Sequence, residues 1–367
     1  MTDVIIGGIY NYTANNNLEE FTMSKMREEI WEQPAALTRC FAKNAPLLAT
    51  IVAAIKTRQI DSICIAARGT SDHAAVYGKY IFELVLEIPV SLAASSVFTI
   101  YHKNLKLSHT LVIGISQSGK AADVLEVINA ANRQGALTIS ITNFPDSPLA
   151  TAAKYHLACE AGLEQSVAAT KTFTTELFLL ANLAAEWAED QTIKDQIALI
   201  PEGINQTLKT ERLIEAKAAR FRFMNECFVL ARGVNYAVSL EAALKIQETN
   251  YVRAKAFATS DFQHGPIAMI DPGIPVLIFA PDGPSFSDVA AMARRLHQDQ
   301  VDLIIVSNNQ ALLELSPTAF PIPVTPNDLI SPFYNTVIAQ LFACKLADVK
   351  GLDPDHPRLL HKVTITK

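Results

Sequence analysis

Short, nearly unbroken apolar runs, each followed by a stretch long enough for an amphipathic helix, constrain this chain most. Thr110-Leu-Val-Ile-Gly-Ile115 is the clearest of them. A strand with one wet face alternates apolar and polar residues, whereas one that is apolar throughout is covered on both faces. Ser62–Ala66, Val90–Ala93, Leu137–Thr142 and Tyr155–Ala158 have the same character, and helical patterns over Ser71–Leu84, Ala121–Gln134 and Thr170–Glu189 lie among them. Strands alternating with helices predict an α/β fold whose parallel sheet has helices on both faces.

The pattern then begins again. Pro201-Glu202-Gly203 reads as a linker. After it come a helix over 205–223, a strand at Cys227–Ala231, a helix at Ala237–Asn250 and a strand at Pro275–Phe279. A helix at Ser287–Gln298, strands at Asp302–Val306 and Phe320–Pro323, and a helix at Ser331–Asp348 complete the second half. Ala67-Arg-Gly-Thr-Ser71 is echoed by Ala231-Arg-Gly-Val-Asn235, as in a duplicated αβα domain. The expected organisation is an Asn-rich arm over 1–19, a domain over 20–200, a second over 201–350 and a tail over 351–367. Met26 to Gln33 is helical in composition, and Pro34 breaks or restarts that helix.

Composition narrows the function classes. With 31 basic and 37 acidic residues the net charge is −6, which argues against a nucleic-acid surface. Five cysteines without a CxxC pair suggest buried free thiols and neither disulfides nor zinc. No leader-like or membrane-length apolar segment is apparent, so a soluble, cytoplasmic protein is expected.

The candidate chemistry sits where strands give way to helices. Gly69-Thr70-Ser71 and Ser116-Gln117-Ser118-Gly119 each follow a strand and precede a helix. Both belong at the carboxyl edge of one sheet, where ligands of open α/β sheets bind and helix N-termini favour anions. Ser71 serves equally as a helix cap. Thr170-Lys171-Thr172 opens another helix, with Lys171 either near the anion or in solvent. On one helical face Lys245 and Glu248 are three residues apart, with Glu241 four residues before Lys245. They form either an exposed ion pair or, among Ala242, Ala243, Leu244 and Ile246, a carboxylate tuned for proton transfer. His264, in Gln263-His-Gly-Pro266, belongs on a loop. The histidines show no metal-ligand spacing, and neither metal nor cofactor is expected.

Taken in order, these motifs resemble the SIS (sugar isomerase) superfamily, in particular the isomerase part of glucosamine-6-phosphate synthases and the SIS-type glucosamine-6-phosphate deaminases. The further marks are Glu164-Gln-Ser-Val-Ala-Ala-Thr-Lys-Thr-Phe-Thr-Thr-Glu176, Leu240-Glu-Ala-Ala-Leu-Lys-Ile-Gln-Glu248 and Pro357-Arg-Leu-Leu-His-Lys362. The resemblance implies two tandem SIS domains, each with a mostly parallel, flavodoxin-like sheet. It also implies a phosphorylated amino sugar as substrate, with Thr70, Ser71, Ser116, Gln117, Ser118 and Val167 lining its site. Glu248 is then similar to the carboxylate that moves a proton between C1 and C2, and Lys245 to a lysine associated with that transfer. His264 resembles the ring-opening histidine that a homodimer partner supplies, and Lys362 the tail lysine that forms an imine with the open-chain ketose. Arg68, Lys120, Ala121 and Ala169 depart from the synthase pattern, in which a cysteine, an acid and two hydroxyls stand there. The chain begins Met1-Thr2 without a cysteine nucleophile, and a glutaminase domain is not expected. The expected reaction is conversion of glucosamine 6-phosphate and water into fructose 6-phosphate and ammonia. The alternatives are another phosphosugar isomerisation, cleavage of a sugar–amine adduct, or a non-catalytic sugar-phosphate sensor.

Overall fold

The protein was analysed as a computed structural model, which describes residues 24–325 and 327–362. The expected arm over 1–19 lies outside these residues, and the tail is described as far as Lys362. Strands β1 (Ser62–Ala66), β2 (Val90–Leu92), β3 (Thr110–Ile115), β4 (Leu137–Thr142) and β5 (Tyr155–Ala158) form one five-stranded sheet in the order β2-β1-β3-β4-β5. Strands β6 (Glu226–Ala231), β7 (Arg253–Ala258), β8 (Val276–Phe279), β9 (Leu303–Ser307) and β10 (Thr318–Pro321) form the other, in the order β10-β9-β8-β6-β7. Counted within each half, both orders are 2-1-3-4-5, the flavodoxin-like arrangement. Every neighbouring pair is parallel. All residues of β3 and β4 are buried, β3 as its continuous apolar character requires and β4 with Thr138, Ser140 and Thr142 enclosed as well.

Three elements differ from the sequence reading. Strand β7 was not expected: it is an edge strand paired only with β6, and Arg253 and Lys255 interrupt its apolar character. Pro201-Glu202-Gly203 is no open linker but part of the helix Ile200–Leu208, with the proline in the first turn where its missing N–H is harmless. The single helix expected over 205–223 is therefore divided into Ile200–Leu208, Glu211–Ala218 and a 3-10 turn at Ala219–Phe221. Pro34 restarts a helix: Lys25–Trp31 is followed by the long helix Gln33–Lys56, with Pro34 in its first turn.

Two helices form the middle of the molecule. Lys171–Ala188 is buried without interruption from Lys171 to Ala185, and Ser331–Lys350 from Ser331 to Ala347. A helix covered all round loses its amphipathic stripe. The helix Tyr236–Asn250 packs against both Ser331–Lys350 and Thr70–Leu86, so elements of the two halves share one hydrophobic core. A buried polar chain crosses the same region. Thr174 Oγ1 donates to Gln33 Oε1 at 2.6 Å, Gln33 Nε2 to Gln340 Oε1 at 2.7 Å, and Gln340 Nε2 to the Thr170 carbonyl at 3.2 Å. Among the described residues no helix is long and apolar enough to cross a membrane.

Gly119 closes the loop after β3 at φ 64°, and a Cβ there would lie 2.0 Å from Ser147 Oγ. Gly135 has a similar φ of 71° with nothing within 4 Å. Both positions resist side chains by about 1 kcal/mol through backbone strain, but only Gly119 adds a clash, worth about 1–3 kcal/mol. Gly119→Ala should therefore lower the urea unfolding midpoint clearly more than Gly135→Ala. Equal midpoints would contradict the close approach to Ser147.

Candidate active site

Because β1 and β3 are neighbours, the loops that leave them emerge side by side at the carboxyl edge of the first sheet. This is the point where the strand order reverses, the usual crevice of such sheets. A cavity of about 400 Å³ lies there. Gly69, Thr70, Ser71, Ser116, Gln117 and Ser118 line it, with Arg68, Ala121, Val167, Ala169, Glu248, Leu360, His361 and Lys362. Gly69 holds φ 55° at the head of the helix Thr70–Leu86. Gln117 and Ser118 have amides with no hydrogen-bond acceptor among the described residues. Ser116 Oγ and Ser118 Oγ accept from the N–H groups of Gly119 (3.2 Å) and Lys120 (3.3 Å), which leaves their own hydroxyl hydrogens to donate. Neutral donors and two helix N-termini converge on one anion-sized space.

Lys245 stands behind this cavity with no exposed surface. Its Nζ is 3.2 Å from Glu241 Oε1 and 2.6 Å from Glu248 Oε2, and it donates to Thr70 Oγ1 at 3.1 Å. Thr70 Oγ1 in turn donates to Glu241 Oε1 at 3.2 Å, and His73 Nδ1 is 2.8 Å from Glu241 Oε2. Burial opposes the Lys245 charge, but attraction to Glu241 and Glu248 outweighs it and holds the ammonium above its usual range. The exposed-pair alternative is thus overturned. Glu248 keeps 21 % of its side chain exposed while Oε2 stays buried against the lysine. Fixed by that oxygen, the carboxylate borders the cavity.

Two further carboxyl groups organise the walls. Ser71 Oγ donates to Glu176 Oε1 at 2.8 Å. Burial pushes the Glu176 carboxyl well above the ordinary range, against that hydrogen bond and together with the charges of Glu164 and Glu241. Glu164 accepts from Thr170 N (2.9 Å), Thr172 N (3.1 Å), Thr172 Oγ1 (2.8 Å) and Lys362 Nζ (2.8 Å). Burial raises its carboxyl, yet the Lys362 charge and these donors bring it below the usual value. Lys362 also donates to the Ser166 carbonyl at 2.7 Å. The tail that carries it is pinned on the way: Asp355 accepts from the Lys25 and Met26 amides at 2.6 and 2.7 Å, and the Arg358 guanidinium lies 3.8 Å from the Tyr251 ring centroid.

The structure thus brings Thr70, Ser71, Ser116, Gln117, Ser118, Val167, Glu248 and Lys362 to one cavity, with Lys245 directly behind it. His264 does not join them: it is exposed at the end of the short helix Thr259–Gln263 and is absent from the cavity lining. Lys171 is neither an anion ligand nor solvated, since its buried Nζ donates to Glu32 Oε2 and the Leu163 carbonyl, both at 2.6 Å. His73, Glu164, Glu176 and His361 were not singled out from the sequence. Glu164, Glu176 and His361 stood only as members of longer motifs, and His73 pairs with Glu241 from far along the chain.

Beneath the cavity wall, Glu29 Oε1 accepts from the amides of Gln165 and Ser166. Burial raises its carboxyl from 4.5 to about 7, against the Gln165 hydrogen bond and with the Glu164 charge. The native state therefore binds more protons than the unfolded state between these values, and stability falls as pH rises from 4.5 to about 7. Glu29→Gln should remove that slope. In urea titrations the variant should gain on the wild type across this window, and parallel pH profiles would refute the assignment.

Comparison with known proteins agrees with this architecture. The model of the SIS domain matches residues 56–185 and 223–349. A glutamine–fructose-6-phosphate aminotransferase (isomerizing) of Thermococcus kodakarensis is 33% identical over 347 residues, covering 92% of this chain and 57% of that protein. The chain thus spans a little over half the length of the curated relatives it matches. The C-terminal domain of glucosamine-fructose-6-phosphate aminotransferase from Francisella tularensis superposes with a TM-score of 0.81 at 27% identity, covering 92% of this chain and 99% of that one. A glucosamine-6-phosphate deaminase from Thermotoga maritima shares the fold, with a TM-score of 0.73 at 24% identity over 94% of this chain and 100% of that one.

Proposed function

The chain belongs to the SIS domain family, and from that premise we propose that it is an aldose–ketose isomerising deaminase of an amino-sugar phosphate. The preferred reaction is glucosamine 6-phosphate and water to fructose 6-phosphate and ammonia. The observation that carries this reading is the convergence of Glu248, Lys362 and the two serine-bearing loops on one cavity, with Lys245 fixed behind the carboxylate. The loops hold the phosphate. Glu248 takes the proton from C2 of the open-chain sugar and returns it to C1, which leaves an iminium at C2. Water adds there and ammonia departs. The Lys245 ammonium stabilises charge developing near Glu248, and Lys362 closes the cavity from the tail.

Ring opening needs an acid–base group near neutrality, which an imidazole supplies. His264 is exposed and remote from the lining of its own chain's cavity, which suits a histidine delivered to a neighbour in a homodimer.

A specific feature favours a second reading, cleavage of a larger sugar–amine adduct. A further cavity of about 350 Å³ shares Gln117, Ser118 and Lys362 with the first and extends past Lys120, Phe144 and Leu163. It offers room for a substrate larger than the amino-sugar phosphate alone.

Purified protein given glucosamine 6-phosphate should release ammonia and fructose 6-phosphate in equal amounts. Glu248→Gln should lower kcat by about 10²–10⁴-fold with little change in sugar-phosphate affinity. Full activity in that variant would remove Glu248 from the mechanism. A higher kcat/KM for N-substituted amino-sugar phosphates would favour the second reading.

Mixing Glu248→Gln chains with His264→Ala chains, each inactive alone, should restore activity in mixed dimers. Absence of rescue in verified heterodimers would place the whole site within one chain.

A further inference from the structure

Arg68 leaves β1 on the same loop as Gly69, Thr70 and Ser71, and it is among the residues that line the cavity with Ser116 and Ser118. Its Nε donates to Asp123 Oδ2 at 2.5 Å. Asp123 is buried in the first turn of the helix Ala122–Arg133, whose N-terminus follows the serine loop. A carboxylate there suits the helix dipole, but it also places a negative charge next to the space we assign to a phosphate.

The donors left for that phosphate are few. The hydroxyl hydrogens of Thr70 and Ser71 already go to Glu241 and Glu176. Ala121 and Ala169 contribute methyl groups. Lys362 is paired with Glu164. What remains is the Ser116 and Ser118 hydroxyls, the loop amides and the His361 imidazole. Arg68 differs: 45 % of its side chain is exposed, and its Nη groups donate to no described residue. A guanidinium is a planar fork of five donors, able to hold one carboxylate on one edge and a second anion on the rest.

We propose that Arg68 is the charged anchor of the substrate's phosphate, its Nε edge cancelling Asp123 and its Nη groups binding the ester oxygens. This rests on the reading of the cavity as a phosphate-ester site. Two consequences follow that a merely structural Arg68 would not have. Loss of Arg68 removes a cation and also leaves the Asp123 charge facing the phosphate. Neutralising Asp123 in the same chain should then recover part of the loss.

The test uses the full-length protein and inorganic phosphate, titrated by calorimetry at low ionic strength. The wild type should bind. Arg68→Ala and Arg68→Gln should each weaken binding at least tenfold, about 1.4 kcal/mol. Arg68→Lys should be intermediate, keeping the charge without the fork. The double variant Arg68→Gln with Asp123→Asn should bind more tightly than Arg68→Gln alone. Wild-type binding matched by the Arg68 variants, with unfolding midpoints unchanged, overturns the role of Arg68 and leaves the phosphate site standing. A double variant no tighter than the single one also overturns it. No phosphate binding by the wild type defeats the phosphate-ester reading itself, and this inference with it.

Discussion

The Lys245 ammonium, enclosed without solvent exposure, is the constraint from which the geometry of the site follows. Burial alone favours the neutral amine. The charge persists because Glu241 and Glu248 come from its own helix and Thr70 from the loop beyond β1. Those partners meet only when the helix Tyr236–Asn250 of the second half sits in register against Thr70–Leu86 of the first. Such a group adds little net stability over a well-packed apolar core, whereas removing one partner costs about 3–5 kcal/mol. The group thus ties the two halves together at this point, and it holds Glu248 at the cavity between the strand-end loops.

The same economy of partners governs the anion side. A loop rich in Ser and Thr invites the assumption that each hydroxyl meets the ligand. Here Thr70 spans Lys245 and Glu241, and Ser71 is tied to Glu176. Toward the cavity they present main-chain N–H groups at the start of the helix, where the Asp72 and His73 amides are already taken by the Gly69 carbonyl. Ser116 and Ser118 accept from the Gly119 and Lys120 amides and so keep their hydrogens available. Hydroxyls in equivalent loop positions thus divide into wall-builders and donors according to the acids behind them.

That division marks the limit of what the chain reveals when read linearly. β1, β3, β4 and β5 were legible to the residue, because short runs rich in Ile, Val, Leu and Thr stand out between longer helical patterns. β7 was not, since an edge strand with Arg253 and Lys255 on its open side looks like a charged loop. Glu241, Lys245 and Glu248 were legible as a helical face, but their burial was not: it depends on the Thr70–Leu86 helix, roughly 170 residues earlier in the chain. Glu164, Glu176 and His73 acquire meaning only from Lys362, Ser71 and Glu241 respectively. Spacing rules see neighbours on one element, and these pairs join different elements.

The tail shows how such long-range pairing constrains chemistry. Lys362 reaches the cavity because Asp355 caps the helix Lys25–Trp31 and Arg358 stacks on Tyr251, so the last described residues cross from the second half back to the first. There it meets Glu164, whose charge is independently supported by the Thr170 and Thr172 amides and the Thr172 hydroxyl. Burial works against that charge, and Lys362 is the strongest of the groups that sustain it, ahead of the Thr170 and Thr172 amides. In this arrangement Lys362 Nζ is held at the cavity wall by Glu164 and the Ser166 carbonyl. Imine formation on this lysine therefore requires the ion pair with Glu164 and the bond to the Ser166 carbonyl to open first.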